Sequence, residues 1–455
     1  MITQLHAKNF KSWKDTGELR IAPLTGFFGT NSSGKTSLLQ MLLLLKQTAA
    51  STNRRQVLFM GDKSSLVDLG TFYDVIHKHQ REAQLELSAS WTLHEPLTIE
   101  NPETQGKALY SINRLSCKIA IHEKNDLLHL QHFLYAFDDD NFGMQQQPNK
   151  PEKYELTTKT FQPKRSPGRV WPLPPPVKCY GFPDEAFGYF QNTGFLADFP
   201  LAFEQMLSNV FYLGPLRDYP QRDYLYAGTS PDGVGKKGEE AVAALLSARA
   251  RDVKISYRLE GNKRKKHVSI EQRIGDWLQQ MGLIHSFELK AIAPNRKEYE
   301  LRIKKTKHSS EVLITDVGFG VSQVLPVLVL CYYAPEYSTI IFEQPEIHLH
   351  PAVQAFLADV FVEVTTQRNV QIIFESHSEY LLHRLQRRIA EQKITAEQTA
   401  LYFCEMGESA SEIKSLKLDS FGNITNWPPD FFGDATGDLI AMVEAATVRQ
   451  MQEQA

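Results

Sequence analysis

Apolar and polar positions alternate in three regimes along the chain. From residue 1 to about 137 the pattern has mostly period two, predicting strands near 2–8, 18–21, 21–28, 84–92, 115–122 and 127–135, with one helix interrupting them. Residues 138–183 lose that pattern. Runs of Asp and Gln and three consecutive prolines, Pro174 to Pro176, predict a surface insertion. Helical spacing returns at 185–209, 239–250 and 271–282, with strands at 287–292 and 299–303, so the middle reads as mixed and mainly helical. The last third returns to short apolar strands alternating with helices: 339–342, 352–364, 370–374, 380–390 and 400–404. That is the rhythm of a parallel sheet covered on both faces.

The first apolar strand runs into Gly29-Thr-Asn31-Ser32-Ser33-Gly34-Lys35-Thr36, which matches the phosphate-binding loop G-x-x-x-x-G-K-[ST] at every fixed position. A helix of nearly unbroken leucine follows from Ser37. Glycines at both ends let the backbone curl so that its N–H groups and the helix dipole face an anion. Lys35 would reach the β- and γ-phosphates of ATP, and the Thr36 hydroxyl would coordinate Mg²⁺.

At 455 residues the chain exceeds the size of one core, so at least two lobes are expected. A net charge of -3 argues against wholesale polyanion binding. Between 249 and 308, however, sixteen Lys/Arg face seven Asp/Glu, concentrated in Lys263 to Lys266 and Arg302 to Lys307. These runs either line a DNA-binding surface or form a solvated hairpin. No run is long enough to span a bilayer, and a cytoplasmic protein is expected. Cys117, Cys179, Cys331 and Cys404 stand singly and read as reduced core thiols.

Thr339-Ile-Ile-Phe-Glu343-Gln344-Pro-Glu346 is an apolar strand ending in acid, and Glu343 would hold Mg²⁺ opposite Thr36. His348-Leu-His350-Pro follows. Another apolar strand ends in Glu-Ser-His377-Ser, at the carboxyl end where parallel sheets bind ligands. There His377 would donate to a γ-phosphate. Between the middle and the acidic strand, residues 316–328 (DVGFGVSQVLPVL) open an apolar helix with a glycine-rich turn.

In that order the motifs resemble the ABC-type ATPase heads of the SMC, RecF and OLD group. Within it they are most similar to the ATPase subunits of bacterial anti-phage defence systems of the Septu PtuA and PARIS AriA types. The resemblance covers residues 1–92, 313–404 and the tail 420–434. It implies an α/β P-loop head with a mixed β lobe (1–137), a Pro-rich insertion (138–185), a mainly helical basic middle (186–310) and a parallel-sheet lobe (311–455). It also implies that Gly318, Gly320, Ser322 and Gln323 form a signature turn meeting the nucleotide of a second copy. ATP would then be sandwiched in a head-to-head dimer or a higher homo-oligomer, with the segment after Glu346 at the interface. A separate effector, a nuclease, would be the partner, because no nuclease centre is visible in this chain.

Two departures stand out. The signature reads GFGVSQ, and Gln344 occupies the place of the acid that polarises attacking water. An amide positions water but takes no proton. Either Glu346 substitutes, or hydrolysis is slow and ATP is a structural ligand. A RecF-like clamp on DNA is the alternative function. Arg217, in GPLRDYP, reads as an ion-pair partner inside the middle lobe, with a nucleotide or interface arginine as the alternative, and Asp138 to Asp140 reads as a solvated loop.

Overall fold

The computed structural model describes residues 1–455 except 103, 105, 139, 149, 169, 259–264, 295, 429–430, 432–440, 444 and 447–455. Among the described residues two large sheets carry the architecture. The first is eight-stranded and antiparallel, built from Ile2–Phe10, Trp13–Asp15, Leu19–Arg20, Leu85–Glu100, Ala108–Lys124, Leu127–Phe137, Asp140–Gln147 and Lys150–Thr158. The second is six-stranded, in the order Val210–Leu213, Thr339–Glu343, Gln371–Glu375, Leu24–Gly29, Thr399–Met406 and Ser411–Leu416. Every pairing in it is parallel except the last.

The parallel sheet is the middle layer. Along its strands, consecutive residues enter different cores. Phe27, Ile341, Ile373 and Tyr402 pack toward the antiparallel sheet and the helices Lys35–Ala50 and Asp198–Ser208. Phe28, Ile340, Phe342, Ile372 and Phe374 pack toward Phe319–Tyr333, Pro351–Arg368 and Glu379–Ala390. A strand buried on both faces must be apolar at every position, which is why these segments read as unbroken apolar runs.

Several expectations need correction. Residues 140–158 are no surface loop. They form two strands that extend the antiparallel sheet and bury Phe142, Met144 and Tyr154. Their opposite face is polar, and the Asp and Gln runs hid a period-two pattern. Asp140 is buried and accepts the Tyr110 hydroxyl at 2.6 Å and a second hydroxyl from Thr160, so it is not part of a solvated acidic run; Asp139 lies outside the described residues. The middle carries strands as well as the helices Ala241–Ala250 and Ile270–Gln280: a four-stranded antiparallel sheet and the pair Lys254–Arg258 with Lys265–Ser269. The span 185–209 is broken into Asp184–Gly188, Gly194–Ala197 and Asp198–Ser208. All four cysteines are free and buried, as read from their spacing.

Candidate nucleotide site

The phosphate-loop strand, Leu24–Gly29, delivers the loop to the carboxyl edge of the parallel sheet. Gly29 has φ 137°, and a Cβ there would lie 1.9 Å from the Cys404 carbonyl oxygen, so only glycine lets the neighbouring strand approach. Gly34 has φ 89° and Ser32 φ 59°, which curls the loop; the Trp13 indole donates to the Gly34 carbonyl at 3.0 Å and pins it. The helix Lys35–Ala50 has no acidic residue in its first turn, leaving its positive end uncompensated. Lys35 is buried and donates to the carbonyls of Thr30 at 2.7 Å and Gly29 at 3.2 Å. Desolvation lowers its pKa, against the pull of Glu375, Cys404 and Glu346.

The strand between the phosphate loop and the acidic strand is Gln371–Glu375, and it brings Glu375 into register beside Glu343. The Thr36 hydroxyl donates to Glu375 Oε2 at 2.7 Å. Glu343 accepts from the Tyr212 hydroxyl at 3.0 Å. Burial and the adjacent Glu375 push Glu343 up to about 7. Burial likewise raises Glu375, which Thr36, Lys35 and Gln344 partly offset. Lys11 adds positive potential near Glu343. Sequence reasoning missed Glu375, Tyr212 and Lys11. A signal for Glu375 was present: Ile-Ile-Phe-Glu occurs twice, at 340–343 and 372–375.

After Glu343 the backbone turns sharply. Gln344 has φ 44°, and its N–H donates to the Glu375 carbonyl at 3.0 Å. Glu346 is buried. Its Oε1 accepts from Ser376 Oγ at 2.8 Å and the His377 N–H at 2.7 Å, whereas its Oε2 is buried without a partner. Desolvation raises the Glu346 pKa. The His377 pKa is lowered by desolvation and by Lys35, so the ring is neutral at pH 7. The His348 ring packs edge-on against Phe319 at 5.4 Å, and His350 caps the helix Pro351–Arg368 by accepting from the Ala352 N–H.

Lys35, Thr36, Glu343, Gln344, Glu346 and His377 therefore converge at one sheet edge. The glycine-rich turn stands apart from them. Gly318 caps the helix Phe319–Tyr333 with open space beside it, a Cβ on Gly320 would touch Leu283 and Leu349, and Ser322 donates back to the Phe319 carbonyl at 2.8 Å. Among the described residues no hydrogen bond joins residues 318–323 to the loop 29–37. Gln323 is buried, with its amide nitrogen unpartnered. Arg217 is not an ion-pair partner inside the middle lobe. It is buried and donates to the carbonyls of Gln323 at 3.1 Å, Gln344 at 3.2 Å and Pro345 at 3.3 Å, while Glu346 is the acid whose charge it feels.

Some of the basic residues of the middle pair with neighbouring acids. Arg302 pairs with Glu300, Lys304 with Glu311, and Lys290 with Glu288 and Glu311. Lys265 and Lys266 lie on a strand; Lys263 and Arg264 fall outside the described residues.

Three family models match the chain. Residues 1–166 match an "AAA ATPase domain", residues 222–383 match "AAA domain, putative AbiEii toxin, Type IV TA system", and residues 394–441 match "Protein of unknown function (DUF3696)". No curated protein matches. Similar solved structures include an Smc head bound to the C-winged helix domain of ScpA, at 13% identity and TM-score 0.45, covering 92% of this chain and 98% of that one. The SMC head domain from Thermotoga maritima matches at 10% identity and TM-score 0.40, covering 91% and 99%. The Smc head domain with an extended coiled coil, bound to the C-terminal domain of ScpA derived from Pyrococcus furiosus, matches at 12% identity and TM-score 0.43, covering 92% and 96%. No helix among the described residues is long and apolar enough to cross a membrane. AAA-domain models thus match both the segment that carries the phosphate loop and the segment that carries the acidic strand, on a fold of mixed α/β class.

Proposed function

We propose that the protein is an ABC-type ATPase of the SMC and RecF group that binds MgATP between two copies of its head and uses nucleotide state to hold or release a separate effector, a nuclease, in antiviral defence. The observation that carries the nucleotide reading is the convergence of Lys35, Thr36, Glu343 and Glu375 at one sheet edge. The donor set fits a triphosphate with a divalent cation. Burial first, and then repulsion between two carboxylates in register, raise Glu343, and a cation relieves that repulsion. Thr36 gives its proton to Glu375, which leaves its oxygen lone pairs free for a metal.

Bound Mg²⁺ would neutralise phosphate charge. The remaining work falls to the chain. Lys35 exchanges the Thr30 and Gly29 carbonyls for phosphate oxygens, and loop N–H groups hold the β-phosphate. Neutral His377 donates to the terminal phosphate. Gln344 orients water without taking its proton, so hydrolysis is slow unless Glu346, whose Oε2 is unpartnered, serves as the base. In a dimer the turn carrying Gly318 and Gly320, open at Gly318, faces the nucleotide of the second copy. The effector role is supported by the toxin–antitoxin description of the model that matches residues 222–383. The pairing of Lys290, Arg302 and Lys304 with acids favours this role over a DNA clamp.

The test is equilibrium binding of ATP with and without Mg²⁺, followed together with oligomer mass, for the native chain and Lys35→Ala. Binding that needs Mg²⁺, that is lost in Lys35→Ala and that shifts the mass upward is the expected result. Binding unaffected by Lys35→Ala would sink the reading.

A further inference from the structure

Arg217 follows the edge strand Val210–Leu213 on a segment that touches two elements of the proposed site. Its guanidinium donates to the Gln323 carbonyl, in the first turns of the glycine-rich helix, and to the carbonyls of Gln344 and Pro345, in the turn after the acidic strand. Two residues on, the Tyr219 ring lies 5.5 Å from Phe319, whose ring lies 5.4 Å from His348. The segment 214–219 thus bridges the same two elements twice, once through buried polar groups and once through rings at the surface.

This joint is under-bonded and strained. Arg217 Nε, Gln323 Nε2 and Glu346 Oε2 are all buried without partners, two donors and one acceptor. Such groups are costly and mark places that rearrange or take up a ligand or water. On either side of Glu346, Gln344 and His348 hold left-handed backbones, φ 44° and 61°, which non-glycine residues keep only where their surroundings impose them. Two of the three Arg217 bonds fall on that turn.

We propose that Arg217 is a positioning residue that ties the glycine-rich helix to the turn carrying Gln344 and Glu346, so that displacement of either element by nucleotide is passed to the other. The proposal rests on the nucleotide reading above and adds the route by which the site communicates. Arginine suits the task because its planar fork reaches several carbonyls at once, which a lysine ammonium on a flexible stem does not reproduce.

The experiment is hydrogen exchange on the full chain, with and without Mg²⁺ and adenosine 5′-thiotriphosphate, comparing wild type with Arg217→Lys. In wild type the nucleotide slows exchange at 319–324 and 344–349 by about threefold or more, with one midpoint concentration for both. In Arg217→Lys the loop 30–37 and the turn 344–349 still respond, and 319–324 keeps its nucleotide-free rate. A normal response of 319–324 in Arg217→Lys overturns the proposal. So do different midpoints in wild type, a test that needs no variant to fold. No response at 30–37 in wild type would instead defeat the nucleotide reading itself.

Discussion

Thr36 and Glu375 share a hydroxyl-to-carboxylate hydrogen bond of 2.7 Å. A carboxylate that fixes the orientation of a metal-ligating hydroxyl typically changes affinity by 10–100-fold when removed. In Glu375→Gln the gain in ATP affinity on adding Mg²⁺ is expected to shrink by about that factor, while affinity in EDTA stays unchanged. Calorimetric titration of both forms reads this directly. A full Mg²⁺ effect in the variant would leave the metal to Glu343 alone.

The pH dependence follows from Glu343, pushed up to about 7 by burial and by Glu375. A carboxyl whose folded pKa lies above its unfolded value contributes stability below about 4.5, and that contribution is lost as pH rises through about 7. The metal-free chain should therefore lose stability between these values from this site, by about 3 kcal/mol at most. In Glu343→Gln the slope should flatten; thermal unfolding from pH 5 to 8 without Mg²⁺ measures it. With Mg²⁺ the sign reverses, because metal binding needs the ionised form and releases a proton.

Gln344 sets the rate of turnover. Its amide takes no proton, and Glu346 is held with one oxygen bound to Ser376 and His377. Native hydrolysis is expected to be slow, with Gln344→Glu accelerating phosphate release on the order of a hundredfold. Fast native turnover abolished by Glu346→Gln would assign the base to Glu346 instead.

Stability of the middle rests on a buried ion pair. Arg273 Nε donates to Glu363 Oε1 at 2.9 Å, and the guanidinium lies over the rings of Tyr257 and Trp277. Glu363 also accepts from Tyr332, which accepts from Trp277. Glu363→Leu leaves a buried cation and is expected to cost about 3–5 kcal/mol, read as a fall in urea midpoint. Arg273→Met together with Glu363→Leu should recover much of that loss.

The parallel sheet and phosphate loop were legible because strands buried on both faces leave an apolar run that little else produces, and the loop has a fixed pattern. Glu343, Glu346 and His377 were read from strand ends. Glu375 was not, because an acid at a strand end reads the same whether it faces solvent or, as here, accepts from a hydroxyl on a distant helix. Strands 140–158 were hidden because only Phe142, Met144 and Tyr154 mark their inner face. Arg217 was misread as an ion-pair partner because its partners are backbone carbonyls, which every residue possesses, so no side-chain type betrays the contact.

The order of strands in the parallel sheet also dictates when the protein can become competent. Its phosphate-loop strand is synthesised long before its two neighbours, Gln371–Glu375 and Thr399–Met406. Until then the loop has no acid beside it and Gly29 no strand to pack against. The long sequence separation predicts slow closure of this layer. A chain that lacks those later strands is therefore expected not to engage nucleotide.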